Sequence, residues 1–222
     1  KRQEALGVSK TTVSRAISGK GRIGKETRKR VLEYIEEHDY KPNAIAKGLA
    51  QSKTYNICVV MPRDYEVVDW NFFQRCLFGI QEMAETVGYD ILLTMCQMND
   101  ISSLERIVAN HKVDGVILMR TFLEDAQIEF LQQKNIPFVT TGSTNYEGVI
   151  QIVHNHRSAC RELTSIILMK NLKRIALIGE DEGYMVTHSR LLGFRDAYEQ
   201  QGETLDENPV SYTHLRAHET LA

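Results

Sequence analysis

Residues 7–15 read Gly-Val-Ser-Lys-Thr-Thr-Val-Ser-Arg, a run equipped to contact nucleic acid. Ser9 is a good N-cap for a helix that follows it. Gly7 can take the left-handed conformation that a tight interhelical turn needs. Val13 and Ile17 lie four apart and give the helix one apolar stripe. Lys10, Thr11, Ser14 and Arg15 lie off that stripe. They are short donors and cations at a helix N-terminus, the groups that reach phosphates and base edges in a major groove. The pattern predicts the turn and recognition helix of a helix-turn-helix, with Ser9 and Thr12 in supporting positions.

Charge is divided along the chain. Residues 1–53 hold 13 Lys and Arg against 6 Asp and Glu, a net of +7, and the remainder holds 14 against 23, a net of −9. A basic head on an acidic body fits a polyanion-binding module joined to a domain with another task, although a solvated basic surface alone would look the same. No apolar run approaches the length needed to span a bilayer. No signal-peptide pattern opens the chain. The four cysteines are scattered, without a C-x-x-C pair, which argues against zinc or redox chemistry. Cys58 and Cys76 fall in strand-like and helix-like runs and are expected to be buried. A reducing, cytoplasmic setting fits best. The chain lacks G-x-S-x-G, a P-loop and a complete G-x-G-x-x-G, and its carboxylates show no glycosidase spacing. His154 and His156 suggest metal ligation, but alternate residues of a strand face opposite sides and no carboxylate follows at ligand spacing. Neither an enzyme nor a cofactor is expected.

The elements that must position these groups follow from periodicity. In the head, 25–38 reads as a helix with Val31, Leu32 and Ile35 on its apolar face and Tyr34 beside them. Arg28, Lys29 and Arg30 form a solvated or phosphate-facing edge. Pro42 ends the unit. Asn43 can cap a short Ala-rich helix over 44–50 before a polar linker. In the body, strands are predicted at 56–61, 90–94, 115–119, 137–141, 149–153 and 175–179. Helices are predicted at 72–87, 101–109, 123–133, 158–169 and 189–200. Alternation of this kind predicts a parallel α/β sheet covered on both faces. Its ligand crevice lies beyond the carboxyl ends of the strands. Loops 62–71, 120–122, 141–144 and 180–188 should therefore face a common cleft.

Gly7-Val8-Ser9 with Thr12-Val13-Ser14-Arg15, then Glu26-Thr27-Arg28, then Tyr40-x-Pro42-Asn43-x-x-Ala46-x-x-Leu49 resemble the lactose repressor (LacI/GalR) family. The likeness extends over about residues 4 to 205. It implies an all-α helix-turn-helix head on an α/β periplasmic-binding-protein-like effector domain. The function implied is a sequence-specific DNA-binding transcriptional regulator, a repressor, controlled by a small-molecule effector such as a sugar. A periplasmic-type sugar-binding protein without a DNA role is the alternative. The partners implied are a pseudo-palindromic operator and a second copy of the chain, with no membrane.

The resemblance also assigns roles. Lys10, Thr11 and Arg15 would read bases, with Ser9, Thr12 and Ser14 supporting through phosphates. Asn43, Ala46 and Leu49 would belong to a hinge helix in the minor groove, Leu49 as an apolar wedge; ordinary helix packing is the other reading of Leu49. Phe72 and Phe73 would line the effector pocket, although one of them could be plain core. Arg190, in Arg-Leu-Leu-Gly193, would grip the effector; the alternative is an ion pair with Asp196 or Glu182. Trp70 and Asp64 could also enter the pocket. The expected organisation is head 1–42, hinge and linker 43–53, first effector subdomain 54–153, part of a second subdomain 154–208, and a tail 209–222. Arg2 and Gln3 stand where the family has apolar residues and Ala, so the first helix is expected to be truncated. The second subdomain is likewise expected to be truncated, and the tail to be non-native and unstructured, a native extension being the alternative.

Overall fold

The computed structural model describes residues 7–18, 21–37, 51–63, 67–172, 174–205 and 210–212. The chain divides into two compact units, 1–52 and 53–222. Asn43, Ala46, Leu49 and Asp64, singled out in the sequence, lie outside the described residues.

The first unit contains α1 (Lys10–Ser18) and α2 (Lys25–Glu37), packed on each other. Ala16 and Val31 are buried. Leu32, expected on the apolar face, is instead 42% exposed. Val31 and Ile35 lie four apart and face the neighbouring helix, which turns Leu32 toward solvent.

The second unit opens with β1 (Asn56–Pro62), α3 (Val67–Thr86), β2 (Asp90–Cys96), α4 (Ser102–Ala109), β3 (Gly115–Leu118), α5 (Ala126–Gln133), β4 (Phe138–Thr141) and β5 (Ile150–Ile152). The five strands form one parallel sheet in the order β2-β1-β3-β4-β5. Alternate residues of β1 enter opposite cores. Cys58 and Val60 join Leu104, Ile107, Leu118, Ile128 and Leu131 on the face covered by α4 and α5. Val59 and Met61 join Phe73 and Met119 on the face covered by α3. The order reverses between β1 and β3, so the crevice of an open α/β sheet falls there.

The remainder comprises α6 (His156–Met169), β6 (Leu177–Gly179), α7 (Met185–Gln201) and β7 (Val210–Tyr212). Leu168, Phe194, Ala197 and Tyr198 form their core, with Leu177 against it. α6 and α7 pack against each other at Gly193, where an added Cβ would overlap the Arg157 carbonyl oxygen.

Several boundaries differ from the sequence reading. α3 starts at Val67 rather than 72, because β-branched Val67 and Val68 weaken a propensity signal that tertiary context overrides. α5 starts at Ala126 rather than 123, because buried Asp125 is its N-cap and accepts from Gln127 and Ile128 backbone N–H. α7 starts at Met185 rather than 189, since its first N–H donates to the Thr121 carbonyl across the crossover at 3.2 Å. The tail was expected to be unstructured. Instead, Val210–Tyr212 pairs in parallel with β6, Leu177 opposite Val210, supplying the partner that a lone strand requires. Cys58 and Cys96 are buried, whereas Cys76 is only half-buried. Among the described residues, no helix is long and apolar enough to cross a membrane.

Candidate functional site

The first unit presents the helix start anticipated from its sequence. Gly7 adopts φ +62°, in the left-handed region. The Ser9 Oγ accepts from the Thr12 backbone N–H at 3.2 Å and lies 2.9 Å from Thr12 Oγ1. Val13 N–H donates to the Ser9 carbonyl at 3.1 Å. One orphan donor at the helix N-terminus, the Thr12 N–H, is thus satisfied by the cap, and the Ser9 carbonyl accepts the first intrahelical bond. Ser9, Thr11 and Arg15 are exposed, while Thr12 is half-buried. The Arg15 stem lies against Gly21, whose φ is +96°, so the turn out of α1 needs a residue without Cβ. Lys10 and Ser14 belong to α1, but their side chains are outside the description. Lys29 is engaged by Glu33 one helical turn on, at 3.7 Å.

In the second unit, the chain leaves β3 at the switch point and meets the segment preceding α7. Leu123 N–H donates to the Gly183 carbonyl at 2.9 Å, and Phe122 bridges to Tyr184 with ring centroids 5.7 Å apart. Thr121 Oγ1 donates to the Ser143 carbonyl at 2.7 Å, and Ser143 Oγ lies 3.5 Å from Ser189 Oγ. Loops 120–122, 141–144 and 180–188 therefore converge. Asp125 braces the first of them from below by accepting the Phe122 N–H at 3.1 Å. Burial pushes the Asp125 carboxyl up in pKa, against the pull of the Phe122, Ile128 and Gln127 N–H groups.

Arg120 occupies the centre of this convergence. Its guanidinium lies 5.6 Å from the Phe73 ring centroid and 4.6 Å from that of Tyr184. A planar cation beside two aromatic rings is held by the ring quadrupoles. Of the predicted aromatic pair, Phe73 is buried in the sheet core and Phe72 is 48% exposed, the rings edge to face at 5.3 Å. Arg190 is exposed on α7. Asp196, one of its two alternative partners, is instead gripped by Arg157 through two hydrogen bonds of 2.6 and 2.8 Å. Arg190 forms no ion pair among the described residues. Burial first, then the charges of Arg190 and His154, hold the His156 imidazole below its ordinary pKa. The His154 and His156 rings lie 6.1 Å apart, past the end of β5 rather than on a strand. Among the described residues, no cluster of three or more His, Cys, Asp or Glu is arranged to hold a metal ion. Trp70 lies in α3, with its side chain outside the description.

Sequence reasoning named the loop that carries Arg120 but missed the residue, and it missed Tyr184. Their positions at the ends of β3 and of the segment after β6 were the available signal.

The fold and this crevice define the class: a small all-α unit followed by an α/β domain of the periplasmic-binding kind. Residues 4–43 match the family of bacterial regulatory proteins called lacI, and residues 54–218 match the periplasmic binding proteins and sugar binding domain of the LacI family. The chain belongs to the LacI family. It is 30% identical over 212 residues to the HTH-type transcriptional regulator MalR of Streptococcus pneumoniae, covering 94% of this chain and 65% of that protein. It is 29% identical over 225 residues to catabolite control protein A of Staphylococcus xylosus, covering 97% and 67%. The chain thus spans about two thirds of the length of these relatives. In fold it resembles the lac repressor dimer bound to operator and the anti-inducer ONPF, with a TM-score of 0.72, 20% identity and coverage of 95% and 64%. It also resembles the regulator CelR in complex with cellobiose, with a TM-score of 0.63, 24% identity and coverage of 96% and 64%.

Proposed function

We propose that this protein is a sequence-specific DNA-binding transcriptional repressor whose operator affinity is set by a small-molecule effector, a sugar. The observation that carries the reading is the pairing, in one chain, of a Ser9-capped cationic helix with a switch point at which Arg120 lies against Phe73 and Tyr184. Residues 1–42 form the DNA-binding head, and 43–53 the hinge and linker. Residues 54–153 and 154–208 contribute to two effector subdomains. Lys10, Thr11 and Arg15 read bases. Ser9, Thr12 and Ser14 contact phosphates, and Asn43, Ala46 and Leu49 act in the minor groove. In the crevice, Phe72 and Tyr184 offer aromatic faces to a sugar ring, with buried Phe73 behind them. Arg120 and Arg190 donate to its hydroxyl oxygens. The site binds its ligand and does not transform it. The protein acts in the cytoplasm as a homodimer, one head per half-site of a pseudo-palindromic operator. Effector binding closes the crevice and changes operator affinity by a coupling free energy of about 1–3 kcal/mol.

The test uses the full-length protein and fluorescence anisotropy on a selected operator and on random duplex at several salt concentrations. Selected sites should be bound about 1,000-fold or more tightly than random DNA, with affinity falling steeply as salt rises. Equal affinity for both would overturn the proposal. Because a protein of like fold was solved with cellobiose, disaccharides make the first effector panel. Arg190→Ala should abolish the effector response and leave operator binding intact; a surviving response would refute the crevice assignment.

A further inference from the structure

The chain enters the second unit through a short segment that one side chain holds. Asp114, the residue before β3, accepts from Thr54 N–H at 2.7 Å and Thr54 Oγ1 at 2.8 Å on one carboxylate oxygen, and from Tyr55 N–H at 3.0 Å on the other. Both oxygens are thus committed to two consecutive residues. The Thr54 hydroxyl oxygen in turn accepts the Asn56 N–H at 3.1 Å. Backbone bonds frame this arrangement. Asp114 N–H donates to the Asn56 carbonyl and Asp90 N–H to the Tyr55 carbonyl, both at 2.8 Å. The rings of Tyr55 and Tyr89 lie 5.6 Å apart, and Lys53 Nζ donates to the Tyr89 hydroxyl at 3.4 Å.

Tyr55 adopts φ +57°, in the left-handed region. That conformation is costly for a residue with a bulky side chain. The chain is therefore bent just before β1 begins at Asn56, three residues past the boundary between the two units. Strain of this kind persists only where the surroundings over-determine it, and it gathers at functional and switch segments. Hydrogen bonds to a carboxylate are stronger than neutral ones, and here they hold the strained residue and its neighbour together.

We propose that Asp114 is a positioning residue for operator binding: by clamping Thr54 and Tyr55 it fixes the direction in which the chain leaves the body toward the head, and with it the spacing at which a dimer offers two heads to two half-sites. The inference rests on the repressor reading above. Its physical basis is conformational entropy. Two half-sites lie a fixed distance apart on the duplex. A chain free to swivel at 54–55 spreads each head over many directions, so the effective concentration of the second head at its half-site falls. The contacts made by a single head do not change. The clamp therefore acts on two-headed binding alone.

The test is fluorescence anisotropy on the full-length protein with three duplexes: a selected pseudo-palindromic operator, the same operator with one half-site scrambled, and random sequence. Asp114→Ala removes the clamp. Thr54→Val removes one donor and keeps the carboxylate, and it carries the comparison if Asp114→Ala does not fold. Thr54→Ser keeps the hydroxyl. Circular dichroism establishes that each variant is folded at the assay temperature. Asp114→Ala should bind the whole operator about tenfold more weakly than the parent, and Thr54→Val about threefold. Both should bind the half-operator and random duplex within about twofold of the parent, because single-head contacts are intact. Thr54→Ser should match the parent on all three. A loss on the half-operator as large as on the whole operator would mean general destabilisation, and an unchanged affinity for the whole operator would mean an anchor without a role in binding; either overturns the proposal. A parent that does not prefer the operator to random duplex overturns the repressor reading and this inference with it, whereas a parent with that preference and variants equal to it overturn this inference alone.

Discussion

Replacing Gly193 with Ala sets two effects of opposite sign against each other. In an exposed helix interior, Gly→Ala stabilises by up to about 1 kcal/mol through propensity alone. At Gly193 the new Cβ would lie 2.9 Å from the Arg157 carbonyl carbon and 3.1 Å from its Cα, overlapping the carbonyl oxygen. Ordinary contact begins at 3.4 Å, so α6 must retreat from α7 by half an ångström or more. Overpacking of this kind costs about 1–3 kcal/mol. The obstacle is backbone rather than the end of a flexible side chain, so the upper half of that range applies. The net expectation is a loss of about 1–2 kcal/mol, or roughly 3–6 °C in melting temperature for a chain of this size. Gly79→Ala is the control, since it lies on the exposed side of α3 with nothing within 4 Å of its built Cβ. That variant should gain about 0.5–1 kcal/mol. Urea unfolding of the two variants beside the parent decides the matter. If Gly193→Ala is as stable as the parent, α6 and α7 do not approach as closely as described, and the Arg157–Asp196 pairing across them fails as well.

Three further expectations follow from individual contacts. Ser9→Ala should destabilise α1 by about 1 kcal/mol, speeding amide exchange in its first turn about fivefold; unchanged exchange would show that Ser9 is not the cap. Asp114 accepts from Thr54 N–H, Thr54 Oγ1 and Tyr55 N–H at 2.7, 2.8 and 3.0 Å. Partial burial raises its pKa, but these hydrogen bonds outweigh that and hold it below the ordinary 3.8. A depressed carboxylate stabilises the fold above its unfolded pKa, and that stability is lost as pH falls through the folded value. The melting-temperature gap between the parent and Asp114→Asn should therefore narrow on acidification below about pH 5, and a constant gap would refute the anchor. Burial, with Cys96 nearby, pushes the Cys58 thiol up to about 12, and burial also raises Cys96. A disulfide reagent at pH 8 should label Cys76 and Cys160 well before Cys58 and Cys96, whereas a single rate for all four in native protein would contradict the core assignment.

Local chemistry made much of this protein legible from its sequence. A serine beside a run of cations caps a helix wherever the chain places it, because the bond to Thr12 spans three residues. Gly7 and the apolar runs at β1, β2 and β3 act over equally short distances, so element order and the covered parallel sheet could be read directly. Tertiary structure decided what depends on residues far apart. Arg120 lies between Phe73 and Tyr184 because the order of strands brings the end of β3 beside α3 and the crossover before α7. Asp196 is bound by Arg157 because Gly193 lets two helices approach closely, and that contact removes one of the two partners considered for Arg190. The start of α7 depends on a carbonyl at Thr121, and the strand at Val210–Tyr212 on an open edge of β6. Each of these is a hydrogen bond or ring contact between distant segments, and periodicity along a single segment carries no record of its partner.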